Sequence, residues 1–195
     1  MEFILATANA HKAEELSAIL GGIRILTMKE AGFNPEIVEN GATFAENAII
    51  KCRAVWELAH RPCIADDSGL CVDALGGAPG IYSARYAGEN GTAKQCNDKL
   101  LAALAGVPKE RRTARFVCAM ACILDEITAF TVEGTCDGII AAAPRGERGF
   151  GYDPLMYLPE YGCTIAELDS DKKNEISHRA RACMRLREML AGYNR

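Results

Sequence analysis

The hydrophobic positions of the first sixty residues switch between short apolar runs and a helical repeat. Residues 3–7 form an apolar run that predicts a short buried strand, and apolar residues then recur at helical spacing over residues 13–20. A second helix is predicted from Thr43 to Ala59, and a second short strand from Pro62 to Ala65. Two adjacent carboxylates come directly after this second strand.

The later part of the chain predicts a hairpin followed by a loop and a helix. The predicted elements are a turn at 76–80, a helix at 92–105, a hairpin formed by 113–124 and 127–136, a glycine-bearing loop at 144–152 and a terminal helix at 174–190. This order of elements favours the α/β class, with a mixed twisted sheet flanked by helices. Two lobes with a central cleft are consistent with it.

The composition is that of an ordinary globular protein and narrows the range of functions. The chain has 195 residues, of which 49% are hydrophobic and 25% charged, and its formal net charge of -4 lacks the basic excess of a general nucleic-acid-binding protein. Its longest apolar stretch, Val117 to Leu124, falls far short of the ~20 residues that span a bilayer. No basic segment precedes Phe3, so we expect an unexported, cytoplasmic protein that does not bind membranes.

The cysteines do not predict a disulfide framework or a zinc site. The nine cysteines are an odd number, they form no CxxC pair, and only three histidines accompany them. We therefore expect reduced and mostly buried thiols.

Residues 7–12 are small or polar and lie between a predicted strand and a predicted helix. The N–H groups at a helix N-terminus attract phosphate, and Lys12 could add a full charge. The alternative is that Asn9 only caps the helix and that Lys12 is solvated.

Glu46, Asn47 and Lys51 lie close together on the second predicted helix. Asn47 and Lys51 are four residues apart and so share a helical face, with Glu46 beside them. Glu39 is a further carboxylate ahead of this helix. A solvated helical face is the alternative.

Asp66 and Asp67 are the most informative pair in the sequence. Two acids at a strand end are hard oxygen ligands of the kind that suits Mg²⁺, and one of them could activate a water molecule. The alternative is an aspartate-rich turn.

Two segments near the C-terminus could recognise a base. Glycines flank Phe150, so its ring could stack on a base while Asp153 accepts from a ring N–H. His178 and Arg179 open the last predicted helix and could donate to a carbonyl or a phosphate. The alternatives are a buried aromatic turn and a capped helix with a basic face.

Several common catalytic motifs are absent from the sequence. There is no GxxxxGK[ST], GxGxxG, HExxH or GxSxG string, so kinase-like, dinucleotide-dependent, zinc-protease and serine-esterase functions lose their main support.

Five strings together carry a resemblance to a known family. TANAHK, TFAENAIIK, ADDSGL, GFGYDP and KNEISHRARA occur in this order between residues 7 and 182. In their order and joint presence the chain resembles the inosine triphosphate pyrophosphatase family.

This resemblance implies a Mg²⁺-dependent hydrolase that cleaves non-canonical purine nucleoside triphosphates. The substrates would be ITP, dITP and XTP, cut between the α- and β-phosphates to give the monophosphate and pyrophosphate, and the role would be to cleanse the nucleotide pool. It further implies a single domain over residues 1–195, an elongated fold of two lobes around a central substrate cleft, and a homodimer.

The resemblance also implies a role for each matching residue. The catalytic residues would be Asp67, Asp66 and Lys51, and the Mg²⁺ ligands would be Glu39, Glu46 and Asp67. The substrate-binding residues would be Thr7, Ala8, Asn9, Ala10, His11, Lys12, Ser68, Phe150, Gly151, Tyr152, Asp153, Lys173, His178 and Arg179.

Two alternative functions remain open at this point. A related house-cleaning pyrophosphatase could act on other modified nucleotides. A nucleotide-sensing or RNA-binding module could keep the pocket without hydrolysis, although the retained carboxylates and lysines and the acidic charge balance argue against it.

Overall fold

A mixed sheet of seven strands organises the protein, whose computed structural model describes residues 2–193. The strand order is β2-β1-β3-β4-β5-β6-β7. Strand β1 pairs in parallel with β2 and β3, whereas β6 pairs antiparallel with β5 and β7. The strands are β1 (Glu2–Leu5), β2 (Arg24–Thr27), β3 (Cys63–Val72), β4 (Thr113–Ile123), β5 (Ala129–Ile140), β6 (Met156–Leu158) and β7 (Cys163–Thr164).

Five α-helices accompany the sheet, which confirms the predicted α/β class. They are α1 (Ala10–Ile19), α2 (Phe44–Ala59), α3 (Ala93–Ala103), α4 (Ser170–Ile176) and α5 (His178–Tyr193). Helices α2 and α3 begin where the sequence predicts, because the side chains of Thr43 and Thr92 accept backbone N–H groups of the first turn. Among residues 2–193, no helix is both long enough and apolar enough to cross a membrane.

The chain divides into two compact units. The first contains the residues up to Asp67, Cys118–Gly134 and the residues from His178 onward, and the second contains Ser68–Val117 and Thr135–Ser177. Strands β3, β4 and β5 each pass from one unit to the other.

The first unit has apolar clusters on both faces of its sheet. Phe3 and Leu5 of β1 pack with residues of α1 and α5, whereas Ile4 and Ala6 pack with residues of α2. This division follows from the strand repeat, in which successive side chains point to opposite faces. The helices therefore cover both faces of this part of the sheet.

The second unit has its own core, in which α3 packs with the strands. Leu100 of α3 and Leu104, which follows the helix, join Leu70, Phe116 and Ile140 in one buried cluster. At the edge of this core, the guanidinium of Arg112 donates to the backbone carbonyl groups of Leu104 and Val107, which follow α3.

Strand β3 is longer than the sequence predicts. It was expected to end at Ala65, but it continues to Val72, so that Asp66 and Asp67 lie within the strand and not after it. Asp66 and Asp67 can be buried in a strand because each carboxylate is paired with a lysine, Lys12 and Lys51 respectively. The apolar residues Leu70 and Val72 then continue the strand into the second core.

The single terminal helix predicted from Asn174 to Leu190 is wrong. The structure begins a helix at Ser170 and interrupts it at Ser177, whose extended backbone (ψ 163°) ends α4 before His178 starts α5. The apolar repeat runs through this break, which is why periodicity alone does not reveal it.

The predicted hairpin is shifted at its second strand. Asp125 accepts the N–H groups of Ile127 and Thr128, so these residues belong to the turn and β5 starts only at Ala129. The short strands β2, β6 and β7 were not predicted, because runs of two to four residues carry almost no periodic signal.

Candidate active site

Asp66 and Asp67 point to opposite faces of strand β3. Alternate residues of a strand point to the same face, so Asp66 points to the face of Ile64, which packs with α1 and α5. Asp67 points to the opposite face with Cys63 and Ala65, which pack with α2. The sequence suggested two carboxylates that could serve one site together. The structure instead gives each carboxylate its own partners.

Asp67 is held by two side chains of helix α2. Nδ2 of Asn47 donates to Oδ2 of Asp67 at 3.2 Å, and Nζ of Lys51 lies 3.2 Å from Oδ1. Nζ of Lys51 also lies 2.6 Å from Oε2 of Glu39. Asn47 and Lys51 lie on one face of α2, as predicted, and both therefore contact the carboxylate of Asp67.

The electrostatics of this cluster favour a cationic lysine beside a carboxylate that readily takes a proton. Burial raises the pKa of Asp67, and although Lys51 and Lys12 oppose that effect, the pKa stays above its usual value. Burial would lower the pKa of Lys51, but Asp67 and Glu39 outweigh it and raise that pKa. A carboxylate with a raised pKa next to a fixed ammonium is typical of a catalytic base.

A tight turn ahead of α2 places Glu39 near this cluster. The N–H of Gly41 donates to Oδ1 of Asn47 at 2.8 Å, and the N–H of Ala42 donates to Oε2 of Glu46 at 2.6 Å. A Cβ atom on Gly41 would lie 2.7 Å from Cβ of Glu46, so the approach requires glycine. Glu46 itself is exposed and holds this turn.

The donor set around Lys51 is compatible with a hard divalent cation. Glu39 and Asp67 already hold one cation, the lysine ammonium, between two carboxylates. Mg²⁺ usually takes one or two protein carboxylates and completes its shell with water and phosphate oxygens. Within residues 2–193, no three His, Cys, Asp or Glu side chains are gathered as a ready-made metal cage. The ligand set Glu39, Glu46 and Asp67 remains a prediction.

Asp66 lies at the centre of a buried ion-pair network on the other face. Its Oδ2 is 3.0 Å from Nζ of Lys12 and 3.3 Å from Nη2 of Arg179, whose Nη1 donates to Glu15. Burial would raise the pKa of Asp66, but Lys12 and Arg179 outweigh it and hold that pKa well below its usual range. The neighbouring cations therefore favour the ionised form of Asp66, whereas burial favours the protonated form of Asp67.

The loop before α1 has the exposed helix N-terminus that the sequence predicted. Asn9 caps the helix by accepting the N–H of Lys12 at 3.2 Å, and Thr7 accepts the N–H of Asn9 at 3.2 Å. Ala8, Asn9, Ala10 and His11 are exposed, and Thr7 and Lys12 are half-buried. Capping by Asn9 does not exclude phosphate binding, since other N–H groups of the first turn have no intrahelical partner.

In the second unit, Phe150 is fixed by its own loop. Oδ2 of Asp153 accepts the N–H of Phe150 at 2.9 Å and lies 2.7 Å from Nζ of Lys173, and this ammonium is 4.7 Å from the centre of the Phe150 ring. Asp153 and Lys173 are 3% and 6% exposed. A Cβ atom on Gly149 would lie 2.1 Å from Oδ2 of Asp153, so this glycine admits the carboxylate.

The remaining residues of the loop are anchored in the second core. The hydroxyl of Tyr152 donates to the carbonyl of Ser83 at 2.8 Å, and the carbonyl of Gly151 accepts Nδ2 of Asn97 at 3.1 Å. Tyr152 is 4% exposed and packs in the apolar cluster around α3. Ser68 continues β3 and is half-buried. The predicted substrate contacts of Gly151, Tyr152 and Ser68 remain predictions.

The structure places the predicted base-binding donors in different surroundings. His178 is the first residue of α5 and belongs to the first unit. Its backbone carbonyl lies close to Gly134, since a Cβ atom on that glycine would be only 2.3 Å from the carbonyl oxygen. Arg179 is 1% exposed, and its guanidinium contacts Glu15 and Asp66. Lys173 belongs to the second unit with Phe150.

Sequence analysis missed two side chains that hold these groups. Glu15 lies three residues after Lys12 on α1, and this helical spacing was the available signal. Asn97 lies on α3, far along the chain from Gly151, and nothing in its local sequence indicates that contact.

Comparison with known proteins agrees with the strings identified in the sequence. The model of the Ham1 family matches residues 3–189. A Geobacillus kaustophilus protein named dITP/XTP pyrophosphatase is 52% identical over 189 residues, which are 96% of this chain and 93% of that protein. A Bacillus subtilis protein with the same name is 49% identical over 191 residues, covering 97% and 96% of the two chains.

Solved structures extend the similarity to the fold. A Ham1 protein from Coxiella burnetii has a TM-score of 0.89 and 41% identity, over 98% of this chain and 99% of that one. The Staphylococcus aureus Ham1 protein has a TM-score of 0.90 and 39% identity, over 99% and 100% of the chains. With the family model, the relatives and the folds in agreement over nearly its whole length, this chain belongs to the Ham1 family.

Proposed function

We propose that this protein hydrolyses non-canonical purine nucleoside triphosphates, dITP, ITP and XTP, to the monophosphate and pyrophosphate. The observation that carries the proposal is the cluster in which Asn47 and Lys51 hold Asp67 beside Glu39. Relatives named dITP/XTP pyrophosphatase at 52% and 49% identity support this choice of substrate. The role would be to remove such nucleotides before a polymerase uses them.

Asp67 is the base in this proposal. Its raised pKa suits it to take a proton from the attacking water. The water oxygen forms a bond to the α-phosphorus, the bond from that phosphorus to the bridging oxygen breaks, and pyrophosphate leaves with the electron pair. The ammonium of Lys51 stabilises the negative charge on the phosphates, as pre-organised cations do in phosphoryl transfer.

Lys12 and the N-terminus of α1 bind the triphosphate. Thr7, Asn9 and the adjoining N–H groups supply neutral donors, and Lys12 supplies a full positive charge. Asp66 does not act as a second base here, because the cations around it keep it ionised and occupied.

Glu39 and Asp67 would hold Mg²⁺, with Glu46 as the remaining carboxylate of that segment. When bound, the ion would neutralise charge on the phosphate oxygens. Glu39 is preferred to Glu46 because it already shares a cation with Asp67, whereas Glu46 accepts the N–H of Ala42.

Phe150 and Lys173 bind the base. The ring supplies a stacking surface, and the ammonium beside it can donate to a 6-oxo group, where adenine presents an amino donor instead. His178 is the second donor in this proposal. Arg179 is not a donor to the base in this proposal, because its guanidinium is bound to two carboxylates. By its family resemblance, we also propose a cytoplasmic homodimer.

Replacement of Asp67 tests the chemical step. We expect Asp67→Asn to lower kcat for dITP by about 10²–10⁴-fold, the usual contribution of a positioned base, with an unchanged circular dichroism spectrum. Pyrophosphate release is the readout, with and without Mg²⁺. Asp98→Asn, an exposed aspartate on α3, is the matched control and should keep normal activity. Near-normal turnover by Asp67→Asn would remove Asp67 from the mechanism.

A nucleotide panel tests the substrate class. We expect dITP and XTP to be hydrolysed faster than dGTP, dATP and modified pyrimidine triphosphates. Preference for a modified pyrimidine triphosphate would identify a related house-cleaning pyrophosphatase. It would also reject the proposal that Phe150 and Lys173 recognise a 6-oxo purine. Tight binding without pyrophosphate release would favour a nucleotide sensor.

A further inference from the structure

We infer that Glu15 is a positioning residue that holds the ammonium of Lys12 in place for the phosphates of the substrate. It acts through two buried side chains, Arg179 and Asp66. The inference rests on the proposed function, because it gives Lys12 a phosphate to bind. Glu15 has no part in the site as the sequence predicted it.

One carboxylate oxygen connects the two cations of this network. Oδ2 of Asp66 lies 3.0 Å from Nζ of Lys12 and 3.3 Å from Nη2 of Arg179. The other terminal nitrogen of Arg179, Nη1, donates to Oε2 of Glu15. The ion pairs therefore run from Glu15 through Arg179 and Asp66 to Lys12.

The network balances two positive and two negative charges away from water. The Asp66 side chain is 0% exposed and that of Arg179 1%, and those of Lys12 and Glu15 are 13% and 16% exposed. Charges so deeply buried must be paired, and removing one partner leaves an uncompensated charge. Glu15 supplies half of the negative charge in this group of four.

Glu15 determines how Arg179 shares Asp66 with the lysine. A guanidinium binds a carboxylate most strongly through two parallel N–H donors. Nη1 of Arg179 donates to Glu15, whereas Nη2 lies 3.3 Å from the same Asp66 oxygen that contacts Lys12. Without the Glu15 charge, we expect Arg179 to turn both donors towards Asp66 and displace the ammonium.

The position of Lys12 links this network to substrate binding. Lys12 lies in the first turn of α1, next to the exposed N-terminus proposed to bind phosphate, and Glu15 lies one turn further along. The side chains that donate to Asp67 are Asn47 and Lys51, on the opposite face of β3, and Lys12 affects Asp67 through its charge. A change at Glu15 should therefore weaken binding more than it slows the chemical step.

The test compares two neighbouring glutamates of α1. We expect Glu15→Gln to raise KM for dITP roughly tenfold, as for the weakening of one charged phosphate contact, and to change kcat by less than about threefold. The inhibition constant of pyrophosphate should rise by the same factor. Glu14→Gln removes one negative charge from an exposed position and should leave KM and kcat unchanged.

A double-mutant cycle separates positioning from general stabilisation. A merely structural role would lower Tm and the active fraction but not change KM. In the Lys12→Met background, Glu15→Gln should have no further effect on KM, and a persisting effect would overturn the inference. If Glu15→Gln does not fold, Glu15→Asp, which keeps the charge but shortens its reach to Arg179, should raise KM in the same direction.

The outcomes for the two proposals are distinct. A wild-type protein without activity on dITP and XTP would reject the proposed function. An active wild-type protein with unchanged KM in Glu15→Gln and Glu15→Asp would reject only the role of Glu15.

Discussion

At the scale of single residues, the partners of a side chain decide its chemistry more than its type does. Asp66 and Asp67 are adjacent and identical, and burial raises the pKa of both, yet neighbouring cations outweigh burial at Asp66 and not at Asp67. The sequence predicted both as important but could not divide their roles. That division depends on strand alternation and on which cations reach each face.

The role of the Phe150 ring in binding the base can be tested by substitution. We expect Phe150→Ala to weaken binding of dITP by about 1–3 kcal/mol, because the stacking surface is lost, and Phe150→Leu to recover only part of it. KM for dITP and the inhibition constant of pyrophosphate are the measurements. Pyrophosphate has no base, so its binding should not change. Equal losses for both ligands would show that the ring supports the loop and does not stack on a base.

At the scale of elements, α2 and α3 were predicted well, and the terminal helix and the boundaries of the strands less well. The capping threonines Thr43 and Thr92 fix the starts of α2 and α3 in a way that local sequence reveals. The extension of β3 past Ala65 and the break at Ser177 depend on buried ion pairs and on which core each segment joins. Such tertiary causes leave no periodic signal.

The contact between β5 and α5 provides a test of packing between elements. A Cβ atom on Gly134 would lie 2.3 Å from both N of Ala182 and O of His178, so the helix backbone lies directly against the strand. We expect Gly134→Ala to lower the free energy of unfolding by at least about 1–3 kcal/mol and to raise KM by moving His178. Urea unfolding and dITP kinetics are the measurements.

The control for this change is Gly192 of α5, the helix that lies against Gly134. A Cβ atom on Gly192 would meet no atom within 4 Å, and the residue is exposed. Gly192→Ala should therefore be neutral or stabilise the protein by up to about 1 kcal/mol. Equal stability of the two alanine variants would contradict the close approach at Gly134.

At the scale of the whole molecule, the composition predicted a globular protein with buried thiols, and the order of the elements predicted the α/β class. Of the nine cysteines, only Cys71 and Cys163 are more than marginally exposed. The motifs predicted the family because they are spread over the whole chain, and the family model matches residues 3–189. The network around Arg179 could not be predicted, because its members come from chain segments that are far apart.

The buried thiols predict a loss of stability at alkaline pH. Burial raises the pKa of Cys63, Cys122 and Cys183 to about 12, against about 8.5 in an unfolded chain. The folded state thus holds these protons more tightly, so their contribution is complete below about pH 8.5 and is lost as the pH rises towards 12. The free energy of unfolding should fall steadily from pH 8.5 to 10.5 in urea titrations.

Substitution of one thiol checks this source of the pH dependence. Cys122→Ala should be less stable at pH 7, but its stability should fall less steeply with pH, by about 1 kcal/mol per pH unit. An unchanged slope would assign the alkaline loss to other groups.

The passage of β3, β4 and β5 between the two units has a consequence for biosynthesis. The first unit contains residues from both ends of the chain, including all of α5. During translation its core therefore cannot be completed until the last helix has left the ribosome, although β1 and α1 emerge first. The nascent chain must wait with its early apolar strands exposed, and we expect it to depend on chaperones more than a protein whose domains follow one another in sequence.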